Sequence, residues 1–201
     1  MSSERLAPLI VLAGPSGAGK TTSVDRLLAT TTLPIRRAIT ATTRPPRPTE
    51  IDGVDYYFWT RGEFEDRIAA GAMLEHAIVH GRDYYGTPLS EVRPAREAGT
   101  AVILVIDVQG ADQVRKACPD GLVSVFLRPP EFDDLAARLR CRGEPEETIR
   151  RRLESAVRES ARIGEFQYEL VNADVGTATR ELERIIGSRF PPTGSASCSS
   201  N

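Results

Sequence analysis

The run Leu9-Ile10-Val11-Leu12-Ala13 passes without a polar break into Gly14-Pro15-Ser16-Gly17-Ala18-Gly19-Lys20-Thr21-Thr22, and this junction restricts the fold more than any other stretch of the chain. A short apolar run stopped by Gly-Pro reads as a strand buried on both faces, which is the habit of parallel sheets. The segment after it fits G-x-x-x-x-G-K-[ST], and the pattern beyond it predicts a helix from about Lys20 to Ala29. Gly14, Gly17 and Gly19 free the backbone to turn its N–H groups inward, so the loop can surround a nucleotide phosphate with donors. The helix N-terminus adds positive potential. Lys20 can reach the β- and γ-phosphates, and the Thr21 hydroxyl is placed to ligate Mg²⁺. Strand, glycine loop and helix in this order predict a site for ATP or GTP.

Two more apolar runs, Ala101 to Ile106 and Leu122 to Leu127, alternate with helical patterns, and a fourth strand is expected over Glu169 to Val171. Strand and helix in alternation, joined by right-handed crossovers, predict a three-layer α/β core with a parallel sheet. A chain of 201 residues suits one such compact domain. Residues 38–87 differ in character, being rich in Tyr, Arg, Thr and turn residues, and predict an inserted mixed β lobe in a core of residues 1–37 and 88–190. Within it Tyr56 to Trp59 and Met73 to Val79 have strand composition, Glu63 to Ala70 reads as a short helix, and Trp59 is expected to pack inside. Arginines crowd residues 138–152 around Cys141-Arg142-Gly143-Glu144-Pro145, where two helices should meet at a turn and form a lid. Pro94 should mark the start of a helix or a kink. Residues 191–201 are small, polar and Pro-led, the composition of a disordered tail.

Composition narrows the class. Hydrophobic residues at 40% and charged residues at 27% are ordinary globular usage. A formal net charge of −2 argues against a nucleic-acid partner held by bulk positive charge. No apolar stretch approaches the roughly 18 to 20 residues that span a bilayer, and Met1 to Pro8 lacks the apolar centre of a signal peptide. Cys118, Cys141 and Cys198 are odd in number and widely spaced, which fits neither a disulfide framework nor a zinc site, and His76 and His80 lack a metal-spaced partner. A cytoplasmic protein without membrane contact is expected.

Arg44 and Arg47 flank prolines, with Glu50 and Tyr56 close behind. Two guanidiniums on a stiffened loop suit a dianionic phosphate, and the same spacing suits a solvated basic turn equally well. The ordered series GPSGAGKTT, TTRPPRPTEIDGVDYYF, MLEHAIVHG with YYGTP after it, VIDVQGADQV, RLRCRGEPEETIRRRL and LVNAD resembles the guanylate kinase family from about Leu9 to Ile186. The resemblance implies a P-loop core, a guanylate-binding lobe and a mobile lid. It also implies transfer of the γ-phosphoryl group of MgATP to GMP, and to dGMP, in purine nucleotide metabolism. It assigns ATP to Gly14, Pro15, Ser16, Gly17, Ala18, Gly19, Lys20, Thr21, Thr22 and Asn172. The acceptor phosphate falls to Arg44, Arg47, Tyr56 and Tyr85 with Glu50 in support, guanine to Thr40, Glu75, Thr87 and Asp107, and catalysis to Lys20, Arg138, Arg142 and Arg152.

The chemistry of guanine agrees with that assignment, because its N1–H and exocyclic amine are adjacent donors and an ionised Glu75 can accept from both. Without the surrounding pattern Glu75 reads as an exposed strand carboxylate, and Arg138 to Arg152 as a helix face paired with Glu144, Glu146 and Glu147. No general base is needed, since the attacking acceptor phosphate is already anionic and positioning with charge neutralisation suffices. The chain departs from the family at Val105, where an acid is usual two residues before Asp107. An extra Arg82 or Asp83 in HGRDYYGTP is expected to reshape the base-binding edge. The lid turn is a residue shorter than usual, and Thr49 replaces a common glycine. These departures leave open a kinase of the same fold with another acceptor, or a non-catalytic binding module of that fold. A monomer or a homodimer fits either.

Overall fold

In the computed structural model, which describes residues 6–79, 81–141 and 143–190, the opening apolar run is β1 (Leu9–Ala13), buried along its whole length. The elements that follow are α1 (Lys20–Thr30), β2 (Ile35–Arg37), β3 (Thr40–Thr42), β4 (Tyr56–Phe58), α2 (Arg61–Ala69), β5 (Met73–Val79), β6 (Asp83–Pro88), α3 (Leu89–Glu97), β7 (Ala101–Val105), α4 (Val108–Ala117), β8 (Leu122–Arg128), α5 (Phe132–Cys141), α6 (Glu146–Ser160), β9 (Tyr168–Val171) and α7 (Val175–Gly187).

Alternation along β1 explains the layering. Ile10 and Leu12 face a cluster that includes Val24 and Leu27 of α1 and Leu182 and Ile185 of α7. Leu9, Val11 and Ala13 face the other side, onto Val92 of α3 and Ala111 and Val114 of α4. A strand apolar on both faces therefore needs helices on both sides, and the five-stranded parallel sheet β2-β7-β1-β8-β9 is covered in this way. Truncating Leu12, which is fully buried, should cost about 2–5 kcal/mol. The four expected core strands are present, each within a residue of its expected bounds, and β2 is an addition. Ile35-Arg36-Arg37 has no apolar alternation, and it is a strand because β7 offers a free edge to pair with.

The second sheet has the order β4-β3-β6-β5 and is mixed, with β3 parallel to β4 and the other pairs antiparallel. Trp59 packs in it as expected, stacked on Tyr57 at 5.8 Å between ring centroids and meeting Phe64 edge-on at 5.7 Å. Helix α2 starts ahead of Glu63 because Thr60 and Glu63 form a capping box. The register of β5 with β6 is unbroken from Glu75 opposite Thr87 to Val79 opposite Asp83, and Gly81 turns the hairpin at φ 68°. The added Arg82 or Asp83 therefore sits at the turn end of the hairpin, while the pairing shifts register between Met73 and Glu75 at its other end.

Pro94 does not start α3. It lies inside the helix, which begins at Leu89 behind Pro88, and its carbonyl still accepts the Ala98 N–H at 3.0 Å. Helices α5 and α6 meet near Gly143, at φ 72°, and enclose a small separate core of Leu135, Leu139, Ile149 and Ala156. His80, Arg142 and residues 191–201, including Cys198, lie outside the described residues. Among the described residues no helix is long and apolar enough to cross a membrane.

Candidate active site

The glycines of the loop after β1 are used for close approach. A Cβ on Gly14, at φ 138°, would lie 2.0 Å from the Leu127 carbonyl oxygen, and one on Gly19, at φ 95°, would lie 2.3 Å from Nδ2 of Asn172. Lys20 folds back over the loop, its Nζ donating to the carbonyls of Gly14 at 2.5 Å and Pro15 at 3.0 Å. Burial pulls its pKa down to about 8. Glu159 and Asp107 oppose that shift, and Arg152 adds to it. Ser16 is exposed on the loop, Pro15 and Ala18 are buried beneath it, and Thr21 and Thr22 are exposed in the first turn of α1.

Behind the loop, Asn172 at the end of β9 is 1% exposed and donates through Nδ2 to the Ala18 carbonyl at 2.7 Å. Its own carbonyl accepts from Nη2 of Arg138 at 2.9 Å, so Asn172 ties α5 to the phosphate loop. Arg152 reaches the loop from α6 and donates through Nη1 to the Ser16 hydroxyl. It also lies 2.9 Å from Oε2 of Glu144, through buried atoms that lack hydrogen-bond alignment, which makes this contact Coulombic.

A cleft of about 760 Å³ joins three parts of the chain. Gly14, Ser16 and Lys20 come from the loop, Thr40, Tyr56, Glu75 and Tyr85 from the second sheet, and Val105 and Asp107 from the end of β7. A further wall is α6, through Thr148, Arg151, Arg152, Glu154, Ser155, Arg158 and Glu159. Of these only Arg152 is expected from the sequence. Extending the i, i+3, i+4, i+7 period from Arg152 finds Thr148, Ser155 and Glu159, whereas Arg151, Glu154 and Arg158 flank that stripe. Arg138 does not line the cleft. Glu159 accepts from the Ser155 hydroxyl at 3.0 Å, and burial raises its carboxyl pKa against the pull of Lys20.

On the second sheet, Glu50 organises the two loop arginines. Nη2 of Arg44 donates to both its carboxylate oxygens at 2.9 Å, and the backbone N–H of Arg47 donates at 2.7 Å, leaving the Arg47 side chain 72% exposed. Burial alone would raise the Glu50 carboxyl, and these hydrogen bonds outweigh it, holding it below the usual carboxylate range. Nε of Arg44 donates to the Tyr85 hydroxyl at 3.1 Å, and Tyr56 meets the Tyr85 ring edge-on at 6.1 Å.

Deeper in, Thr87 is fully buried and Glu75 is 4% exposed, with Oγ1 of Thr87 donating to Oε1 of Glu75 at 2.6 Å. Burial pushes the Glu75 carboxyl up to about 7, the nearby Asp107 charge adds to the shift, and the Thr87 bonds oppose it. Asp107 has a second task unforeseen in the sequence. It is the N-cap of α4, accepting the Gly110 N–H at 2.8 Å.

A family profile described as guanylate kinase matches residues 7–189. Guanylate kinases of Streptococcus pyogenes serotypes M3 and M18 are each 47% identical over 179 residues, covering 89% of this chain and 84% of the relative. The crystal structure of guanylate kinase from Anaplasma phagocytophilum superimposes with a TM-score of 0.76 at 29% identity, over 94% of this chain and 89% of that one. TT1252 from Thermus thermophilus shares the fold at a TM-score of 0.52 and 14% identity.

Proposed function

The chain belongs to the guanylate kinase family and phosphorylates GMP at the expense of ATP, and we propose that it does so in the cleft described above, with residues 38–87 as acceptor lobe and 138–152 as lid. The observation that carries this division is the meeting of Lys20 with the buried Glu75 along one cleft, with Thr87 holding Glu75 from behind.

Gly14 to Thr22 cradle the ATP phosphates, and Lys20 exchanges the Gly14 and Pro15 carbonyls for phosphate oxygens. Arg44, Arg47, Tyr56 and Tyr85 grip the acceptor phosphate while Glu50 keeps the guanidiniums in place. Glu75, with Thr40, Thr87 and Asp107, reads guanine, and dGMP, which carries the same base, is accepted with GMP. Arg152 neutralises the phosphoryl oxygens in flight, and Arg138, which holds the Asn172 carbonyl outside the cleft here, joins it with Arg142 when the lid closes. The attacking oxygen arrives ionised, so no side chain need remove a proton.

The donors present fit Mg²⁺ that rides on the nucleotide. Thr21 offers one exposed hydroxyl at the loop, and the described residues form no cluster of three or more acidic, His or Cys ligands. Mg²⁺ usually keeps waters and takes phosphate oxygens with one or two protein ligands. Bound there, it would supply charge neutralisation to the phosphates. A cytoplasmic location belongs to the same proposal.

The test is ADP formation with MgATP against GMP, dGMP, AMP, CMP and UMP, with an acceptor-free control. Turnover confined to the guanine nucleotides is expected. Turnover with another base, or with none, would overturn the reading.

A further inference from the structure

The acceptor-base subsite straddles two bodies. Glu75 belongs to β5, the outer strand of the second sheet, whereas Asp107 caps α4 in the core. Helix α4 packs against β5, and one side chain does most of the polar joining there. Gln113 accepts the His76 N–H on Oε1 at 3.1 Å and donates from Nε2 to the His76 carbonyl at 2.6 Å. Only one orientation of the amide satisfies both contacts. An edge strand leaves its outward N–H and C=O groups without a neighbour, and Gln113 stands in for that missing strand at a single residue.

His76 directly follows Glu75, so a clamp on the His76 backbone also locates the Glu75 carboxylate relative to α4. The fit at this point is tight. Gly110, between Asp107 and Gln113 on α4, leaves room for Glu75, since a Cβ there would lie 2.8 Å from Oε2. Cap, gap and clamp are therefore spaced three residues apart at 107, 110 and 113 on α4.

We propose that Gln113 is a positioning residue for the acceptor base: its clamp on His76 sets the distance between Glu75 and Asp107, and so the selectivity for a purine with two adjacent donors. This rests on the reading of the cleft as a GMP site. Gln113 does not line the cleft and bonds to His76, away from the phosphate loop. Its loss therefore falls on base recognition and leaves phosphoryl transfer in place.

Steady-state kinetics of the full chain with ATP, GMP and inosine monophosphate, whose base lacks the exocyclic amine, test the proposal. Gln113→Ala should raise the KM for GMP about ten-fold, cut the preference for GMP over inosine monophosphate by a similar factor, and leave kcat and the KM for ATP within about two-fold. Gln113→Glu keeps the acceptor for the His76 N–H but sets a carboxylate oxygen against the His76 carbonyl, so no rescue is expected. Should Gln113→Ala fail to fold by circular dichroism, Gln113→Met, which keeps the side-chain size and removes both hydrogen bonds to His76, gives the same split. Base preference within about two-fold of wild type in the folded variants, or a KM for ATP rising in step with that for GMP, would overturn the proposal. A wild-type protein without preference for guanine would overturn the acceptor reading itself, an outcome separable from an unchanged Gln113→Ala.

Discussion

Thr87 donates its hydroxyl proton to Oε1 of Glu75 across 2.6 Å, in a site where Glu75 keeps only 4% of its surface in solvent. A carboxylate so enclosed, with the Asp107 charge beside it, is costly to ionise in the free protein, yet guanine needs the ionised form to accept two donors.

Base binding should therefore expel a proton. Burial, then the Asp107 charge, lifts the Glu75 carboxyl from 4.5 to about 7. The folded free protein then holds a proton that the unfolded chain has lost over that window. On this account its stability falls as pH rises from 4.5 to about 7, with the whole loss in place above. Below about pH 7 the KM for GMP should climb by up to about ten-fold per pH unit while the KM for ATP stays level, a profile that Glu75→Gln abolishes. Steady-state kinetics across that range check this, and parallel rises in both KM values would remove Glu75 from base recognition.

Lys20 is a half-buried cation on the phosphate loop, and among the described residues its ammonium hydrogen-bonds to two loop carbonyls. Lys20→Ala should lower kcat by about two to three orders of magnitude, the scale for one preorganised donor to a charged transition state. The melting temperature should hold or rise, because a partly desolvated charge is removed along with its desolvation cost. A rate within a few-fold of wild type, measured by ADP release, would contradict the mechanism.

Gly19 and Asn172 cannot be altered independently. Gly19→Ala places a Cβ at φ 95° and 2.3 Å from Nδ2 of Asn172, displacing the amide that holds the Ala18 carbonyl. The strained backbone alone costs about 1–3 kcal/mol. Asn172→Ala should raise the KM for ATP about ten-fold and leave the KM for GMP unchanged, through loss of a buried donor. Kinetics with GTP in place of ATP separate two roles for Asn172. A support for the loop leaves the ATP to GTP ratio alone, and a contact to the base changes it.

Val105 lines the cleft two residues from Asp107, and Glu75 and Glu159 line the same cleft. Restoring an acid with Val105→Asp adds a like charge to this group. The pH at which the KM for GMP begins to climb should move upward by about one unit, since a carboxylate beside others is harder to ionise. A midpoint that stays put would mean that solvent or bound cations screen position 105 from Glu75.

Parts of this architecture are legible in the sequence because they depend on short-range chemistry. The β1 run, the glycine spacing before Lys20 and the start of α1 are local events, decided by side-chain alternation and by backbone conformations open to glycine. Strand β2 is not legible, since Ile35-Arg36-Arg37 acquires extended structure only by pairing with Ala101 to Ile103. The same holds for β6, where Tyr84, Tyr85 and Gly86 give no clear period and pairing with β5 sets the register. At the site, the motif residues Lys20, Arg44 and Glu75 are nameable from pattern and resemblance, but their states are not. That Glu75 meets Asp107 across a lobe and a core, that Glu159 faces Lys20 from α6, and that Asn172 braces the loop from behind all require contacts between elements far apart in the chain. By itself the sequence determined the phosphate loop, the layered α/β core and the family, because these rest on local pattern. Only the tertiary structure decided burial and charge proximity at the cleft, because desolvation and Coulomb interactions depend on distance in space.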